Sequence, residues 1–124
     1  MKSLKSRNFF ESFGHALNGI RAVAARERNF RFQLIMAIAA VVACIIFQVY
    51  ALHFMMVALA IFFVLAMELV NTAIEAVIDL VCGGKPHPLA KIAKDASAGA
   101  VLLASAFAVV VAVVVATSVI RRFV

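Results

Sequence analysis

The sequence predicts an all-α membrane protein: an N-terminal amphipathic helix lying in the membrane interface, followed by three transmembrane helices. Three observations predict it. The 124 residues are 66% hydrophobic and only 15% charged, with a mean hydropathy of +1.09, outside the range of soluble domains. Three apolar runs, 32–52, 54–81 and 96–120, are each long enough, with their flanks, to cross a hydrocarbon core of about 30 Å. The basic residues flank these runs on one side: Lys2, Lys5, Arg7, Arg21, Arg26, Arg28 and Arg31 precede the first, and Lys85, Lys91 and Lys94 separate the second from the third. The length allows a single domain over 1–124.

Residues 8–27 carry the period of a surface helix. Phe9, Phe13, Ala16, Ile20 and Val23 line one face, and Glu11, His15, Asn18, Arg21 and Arg26 the other. Such a helix lies in a membrane interface or packs on a partner. No small-residue cleavage pattern follows a short apolar core, so the mature protein is expected to begin at Met1. In the joint Arg26 to Gln33, Glu27 is the only acid among arginines. It is either a local surface ion pair, worth little, or a carboxylate at the same membrane face as Glu75.

The first run is featureless apart from Cys44. A short turn, Gln48 to His53, makes the first two spans antiparallel neighbours, and His53 reads as an interfacial residue. Cys44 and Cys82 are isolated and read as free thiols.

The second span carries the chemistry. At about 100° per residue, Glu68, Asn71, Glu75 and Asp79 share a stripe of about 80°, with Thr72 beside it. A charge near a bilayer centre costs on the order of 3 kcal/mol, so a compensating partner such as a cation is expected. A helix from Phe54 to Cys82 is about 43 Å long. Entering at Phe54, it puts Glu68 roughly 9 Å inside the cytosolic edge, Glu75 at the edge and Asp79 among the headgroups.

Gly83 to Pro88 breaks the helix. Gly83-Gly84-Lys85 is not a Walker A sequence, because the spaced first Gly and the Ser or Thr after Lys are missing. Pro88 suits the first turn of the next helix. Lys91, Lys94 and Asp95 follow, as a positive-inside flank or, with Lys94 and the helix start, as a phosphate holder. Ser97, Ala98, Gly99, Ala100 and Ser105 would let the third span pack closely. The positive-inside rule puts the N-terminus and the 82–95 loop in the cytoplasm and the tail outside, with Arg121 and Arg122 against the trend. The net charge of +6 and pI near 10.0 suit anionic lipid and nucleotide. No nucleic-acid-binding signature is present.

Carboxylates, an amide and nearby lysines at a cytosolic interface suggest a divalent-metal phosphate site. Mg²⁺ commonly takes one or two carboxylates plus phosphate oxygens. Glu27 and Glu75 are candidate metal ligands, and Glu68, deeper and less solvated, is the candidate base. A small pore or transport subunit is the competing class.

The stretch Glu68-x-x-Asn71-Thr72-Ala73-Ile74-Glu75-x-x-x-Asp79 resembles the signature of the small bacterial membrane kinases that phosphorylate diacylglycerol or undecaprenol. Phe13-Gly14-His15-Ala16 with Gly19-Ile20-Arg21, Arg26 to Phe32, and His87 to Ala100 match in order, so the resemblance covers nearly the whole chain. It implies a homotrimeric helical bundle with sites shared between protomers, Mg²⁺-ATP as donor and a lipid primary alcohol as acceptor. By the same resemblance Glu68 matches the proton acceptor and also touches the lipid. Glu27 and Glu75 match the metal and nucleotide ligands, and Asn71 the motif amide beside them. His87, Lys94 and Asp95 match the nucleotide-contacting loop and helix start. His15 stands at a nucleotide-contacting position where the diacylglycerol branch has an aromatic phenol. Arg28-Asn29-Phe30-Arg31-Phe32, the His-Pro-Leu-Ala-Lys block from His87 and the absence of Trp are similar to the undecaprenol branch. That implies undecaprenyl phosphate, a carrier lipid for cell-wall precursors, as product, with phosphatidic acid as the alternative.

Overall fold

Asn8 starts the first helix. Its side-chain Oδ1 accepts the Glu11 backbone N–H at 2.9 Å, satisfying a donor that the first turn leaves open. The computed structural model describes residues 8–124, so Lys2, Lys5 and Arg7 lie outside the described residues. Four helices follow in order: α1 (Phe9–Arg26), α2 (Arg28–Ile46), α3 (Ala51–Cys82) and α4 (Pro88–Phe123). The last three are each long and apolar enough to cross a membrane. The protein is an all-α membrane protein, with no strand among the described residues.

The joint between α1 and α2 is a single extended residue, Glu27, at φ −104° and ψ 108°. Arg31 braces the elbow: its Nη1 donates to the carbonyls of Ala24 and Ala25 at 2.8 and 3.1 Å. A cation on open carbonyls at a helix C-terminus is favourable in charge and in hydrogen bonding. Helix α1 buries none of its residues and exposes Phe9, Phe10 and Phe13, as an interface helix requires.

Helix boundaries depart from the apolar runs. Helix α2 stops at Ile46, short of Leu52, and α3 begins at Ala51, ahead of Phe54. The turn therefore lies at 47–50 instead of 48–53. Gln48 adopts φ 48° there, and Arg122, from the far end of α4, donates to Phe47 O at 2.7 Å and Gln48 O at 2.9 Å. The guanidinium takes carbonyls that continued helix would have bonded. At the other end, α3 closes on Gly83 in the left-handed region (φ 57°), whose N–H bonds Asp79 O at 3.0 Å. Helix α4 starts at Pro88, well before the apolar run at 96, because His87 caps it: its Nδ1 accepts the Leu89 N–H at 3.1 Å.

Helices α3 and α4 form the principal antiparallel pair, with α2 against α3. Cys44, Val57, Ala60, Val111 and Val115 make the buried centre. Lipid is as apolar as Leu, so association here rests on close packing of small residues. Ala104, fully buried, and Ser97 supply it; a Cβ added at Gly99 would meet nothing within 4 Å, so Gly99 is not part of that contact in one chain. Most Leu, Val and Phe side chains of the spans, Phe62, Leu102 and Leu103 among them, face outward.

Candidate functional site

Glu68 is the one carboxylate carried into the helical core, 5% exposed midway along α3. Two amides from the start of α2 reach it. Asn29 Nδ2 donates to Oε1 at 3.3 Å, and Gln33 Nε2 to Oε2 at 3.4 Å. Asn29 and Gln33 are four apart and share one face of α2. Both contacts are long, and neither partner is a cation. The carboxylate is thus held in orientation without being neutralised, while Gln33 Oε1 is buried beside it with no hydrogen-bond partner among the described residues.

One turn further along α3, Asn71 joins two elements. Its Nδ2 donates to Glu75 Oε1 at 3.3 Å, and its Oδ1 accepts the Ser97 hydroxyl at 2.7 Å. Ser97 is 7% exposed and its Oγ also lies 3.0 Å from Lys94 O. The i, i+4 spacing of Asn71 and Glu75 makes the first contact, and the α3–α4 packing makes the second. Asn71 therefore fixes one oxygen of Glu75.

Toward the helix ends the groups become exposed. Lys94 donates to Asp79 Oδ1 at 2.8 Å, and Lys91 pairs with Asp95 at 2.6 Å. Both lysines lie on the first turns of α4, ahead of its apolar run. The hydrogen bond to Asp79, aided by its charge, holds the Lys94 ammonium above the usual lysine pKa; Asp95 does the same for Lys91. Asp79, Lys85, His87, Lys91, Lys94 and Asp95 line a cleft of about 510 Å³ where the Gly-Pro loop meets α4. With His87 Nδ1 engaged in the cap, its Nε2 is the nitrogen free to meet a ligand.

Glu27 is half-buried at the elbow. In the antiparallel register that Asn29 and Gln33 set on Glu68, the elbow lies on the Glu75 side of Glu68. Among the described residues no three His, Cys, Asp or Glu side chains stand together as a metal centre. The pair Glu27 and Glu75 suits a hard cation that completes its shell with phosphate and water oxygens. His15 is not brought to this group in one chain: it is exposed on α1, about 18 Å along the helix from Glu27.

Asn29, Gln33 and Ser97 are the contacts that the sequence did not single out. The four-residue spacing of Asn29 and Gln33, at the head of an apolar helix, is the signal that could have found them. For Ser97 the sequence marks close packing of the third span, but not its partner, which depends on which face of α4 meets Asn71.

The profile of the prokaryotic diacylglycerol kinase family matches residues 14–116. The chain is 42% identical over 104 residues to a diacylglycerol kinase of Synechocystis, covering 84% of this chain and 59% of that protein, less than two thirds of its length. It is 45% identical over 93 residues to the undecaprenol kinase of Bacillus subtilis, covering 75% of each. To the diacylglycerol kinase of Escherichia coli it is 34% identical over 97 residues, covering 78% of this chain and 79% of that one.

Proposed function

The chain belongs to the prokaryotic diacylglycerol kinase family, and from that membership we propose that it transfers the γ-phosphate of ATP to the primary hydroxyl of a membrane lipid, undecaprenol before diacylglycerol. The observation that carries this reading is Glu68, a carboxylate buried midway along a membrane-length helix and held by two neutral amides. A plain anchor has no use for it.

An apolar groove of about 290 Å³ begins at Gln33 and runs between α2, α3 and α4, past Met36, Ala37, Val57 and Leu65. Its head is the residue that bonds Glu68. A lipid chain in this groove would bring a terminal hydroxyl to the carboxylate, and Gln33 Oε1 offers a second acceptor for it. On the other side, about 10 Å along α3, Glu75 leads to the basic cleft at the loop, which suits a nucleotide's phosphates. In this reading Glu68 takes the hydroxyl proton as the lipid oxygen attacks the γ-phosphorus, and the bond from that phosphorus to the ADP oxygen breaks. Asn71 holds Glu75 in place, and Lys94 and the capped start of α4 bind phosphate oxygens, with His87 and Asp95 at the rim. Glu27 and Glu75 would hold Mg²⁺, which when bound neutralises charge on the transferred group. His15, remote within one chain, fits a site completed by a second protomer of a homotrimer. The basic flanks support an orientation with the Glu68 end at the cytoplasmic face, where ATP is.

Undecaprenol is favoured by the 45% identity to the undecaprenol kinase of Bacillus subtilis and by the His-Pro loop. The test is transfer of labelled γ-phosphate from Mg²⁺-ATP in detergent micelles, with undecaprenol and diacylglycerol offered separately and together. The expected result is preference for undecaprenol, lost in Glu68→Gln. Preference for diacylglycerol overturns the acceptor alone. No transfer to either, from a folded oligomer, overturns the kinase reading.

A further inference from the structure

The far end of the bundle holds a second polar cavity, and the kinase reading uses none of it. It measures about 590 Å³ and is lined by Tyr50 and His53 from α3 and its cap, and by Thr117, Ser118, Arg121 and Arg122 from α4. Its charge is of one sign. All six Asp and Glu residues lie toward the Glu68 end, with none in 32–67 or 96–124, so neither arginine has a carboxylate side chain near it. Arg122 is committed to the Phe47 and Gln48 carbonyls and stands over the Tyr50 ring, 5.7 Å from its centroid. Arg121 has no hydrogen bond or ion pair among the described residues. Thr117 gives its proton to Val113 O at 2.7 Å, whereas Ser118 makes no such bond among the described residues. His53, edge-on to Tyr50, buries an Nδ1 that has no partner among them. A buried polar atom ordinarily has one, and here the neighbouring unmatched groups are a guanidinium and a hydroxyl.

We propose that this cavity binds a phosphate group, carried by a phospholipid headgroup or free in solution. Arg121 supplies the charge and a planar pair of N–H donors, Ser118 a hydroxyl donor, and His53 a ring nitrogen at the cavity wall. Arg122 and Tyr50 complete the polar lining. The lipid source is favoured by what surrounds the cavity: Val113 and Val114 form part of its lining, and Val110, one turn below, continues an exposed apolar face of α4 along which acyl chains can lie. The site is at the opposite end of the spans from Glu68, so it tests independently of the kinase reading.

The full-length protein in nanodiscs of mixed phosphatidylcholine and phosphatidylglycerol, released for native mass spectrometry, reads the lipid arm. Wild type should retain phosphatidylglycerol in excess of its share. Arg121→Gln should lower that excess about fivefold, the effect of one basic residue at a lipid surface; Ser118→Ala should lower it less, and Arg121→Lys should keep part of it. Titration of inorganic phosphate into the protein in neutral detergent reads the other arm. Saturable phosphate binding lost in Arg121→Gln, without phosphatidylglycerol excess, supports the site and assigns it to free phosphate. Equal lipid retention and equal phosphate titration in wild type and Arg121→Gln, both folded by circular dichroism, overturn it.

Discussion

At the Glu68 end of the bundle, polar side chains bond to one another: Asn29 and Gln33 to Glu68, Asn71 to Glu75 and Ser97, Lys94 to Asp79. At the far end the side-chain hydrogen bonds go to backbone: Arg122 to the Phe47 and Gln48 carbonyls, and Thr117 to the Val113 carbonyl. The two ends are built from the same three helices and comparable apolar flanks. They differ in charge: among the described residues, six acids with seven bases against two arginines. They differ also in what the contacts accomplish. The first set fixes carboxylates at chosen depths; the second closes a turn. A network that orients carboxylates is the arrangement a phosphoryl-transfer site needs, because such catalysis is mostly positioning and charge.

The largest effect belongs to Glu68→Gln. It keeps the shape and removes the proposed proton acceptor, so lipid phosphorylation should fall by about 10²–10⁴-fold, the range for a general base, with helical content unchanged. If activity survives, the buried carboxylate is structural and the two ends differ only in composition. Asn71→Ala probes the next layer. It frees the Glu75 oxygen and should raise the Mg²⁺ concentration for half-maximal rate by about 10–100-fold, as loss of a supporting ligand contact does. A titration of rate against Mg²⁺ at saturating ATP reads it. The smallest effect belongs to the far end. Arg122→Ala should speed amide exchange at Val49 and its neighbours about two- to fivefold, corresponding to loss of weak exposed hydrogen bonds, and leave phosphoryl transfer in neutral micelles as it was. A large loss of transfer in that variant would mean that the ends are coupled.

Much of the site is legible in the order of residues. Glu68, Asn71, Glu75 and Asp79 recur at helical spacing, so their shared face follows from 3.6 residues per turn alone. The depth order of these four groups follows from the rise per residue. Their partners are another matter. Asn29 and Gln33 reach Glu68 only because α2 presents that face to α3, and Ser97 meets Asn71 only because α4 packs in that register. Hydropathy also misplaces boundaries. It puts the first turn at 48–53, since Val49 to Leu52 are apolar enough to continue a span, whereas the chain turns at 47–50, where Arg122 takes the carbonyls. The start of α4 at Pro88, ahead of the apolar run at 96, is legible instead from the proline's fitness for a first turn.

The order of residues is enough for three membrane-length segments, an amphipathic helix ahead of them, and the stripe of Glu68, Asn71, Glu75 and Asp79 along one face of α3. These follow from local rules: apolar length, helical period, caps and breakers act on neighbouring residues. The tertiary structure alone decided which amides hold Glu68, that Ser97 closes the Asn71 contact, and that an arginine near the C-terminus seals a turn more than seventy residues earlier. Between apolar helices in lipid no hydrophobic gradient selects a face. The choice falls to packing of small residues and to a few long-range hydrogen bonds, and neither is written in the order of residues along one helix.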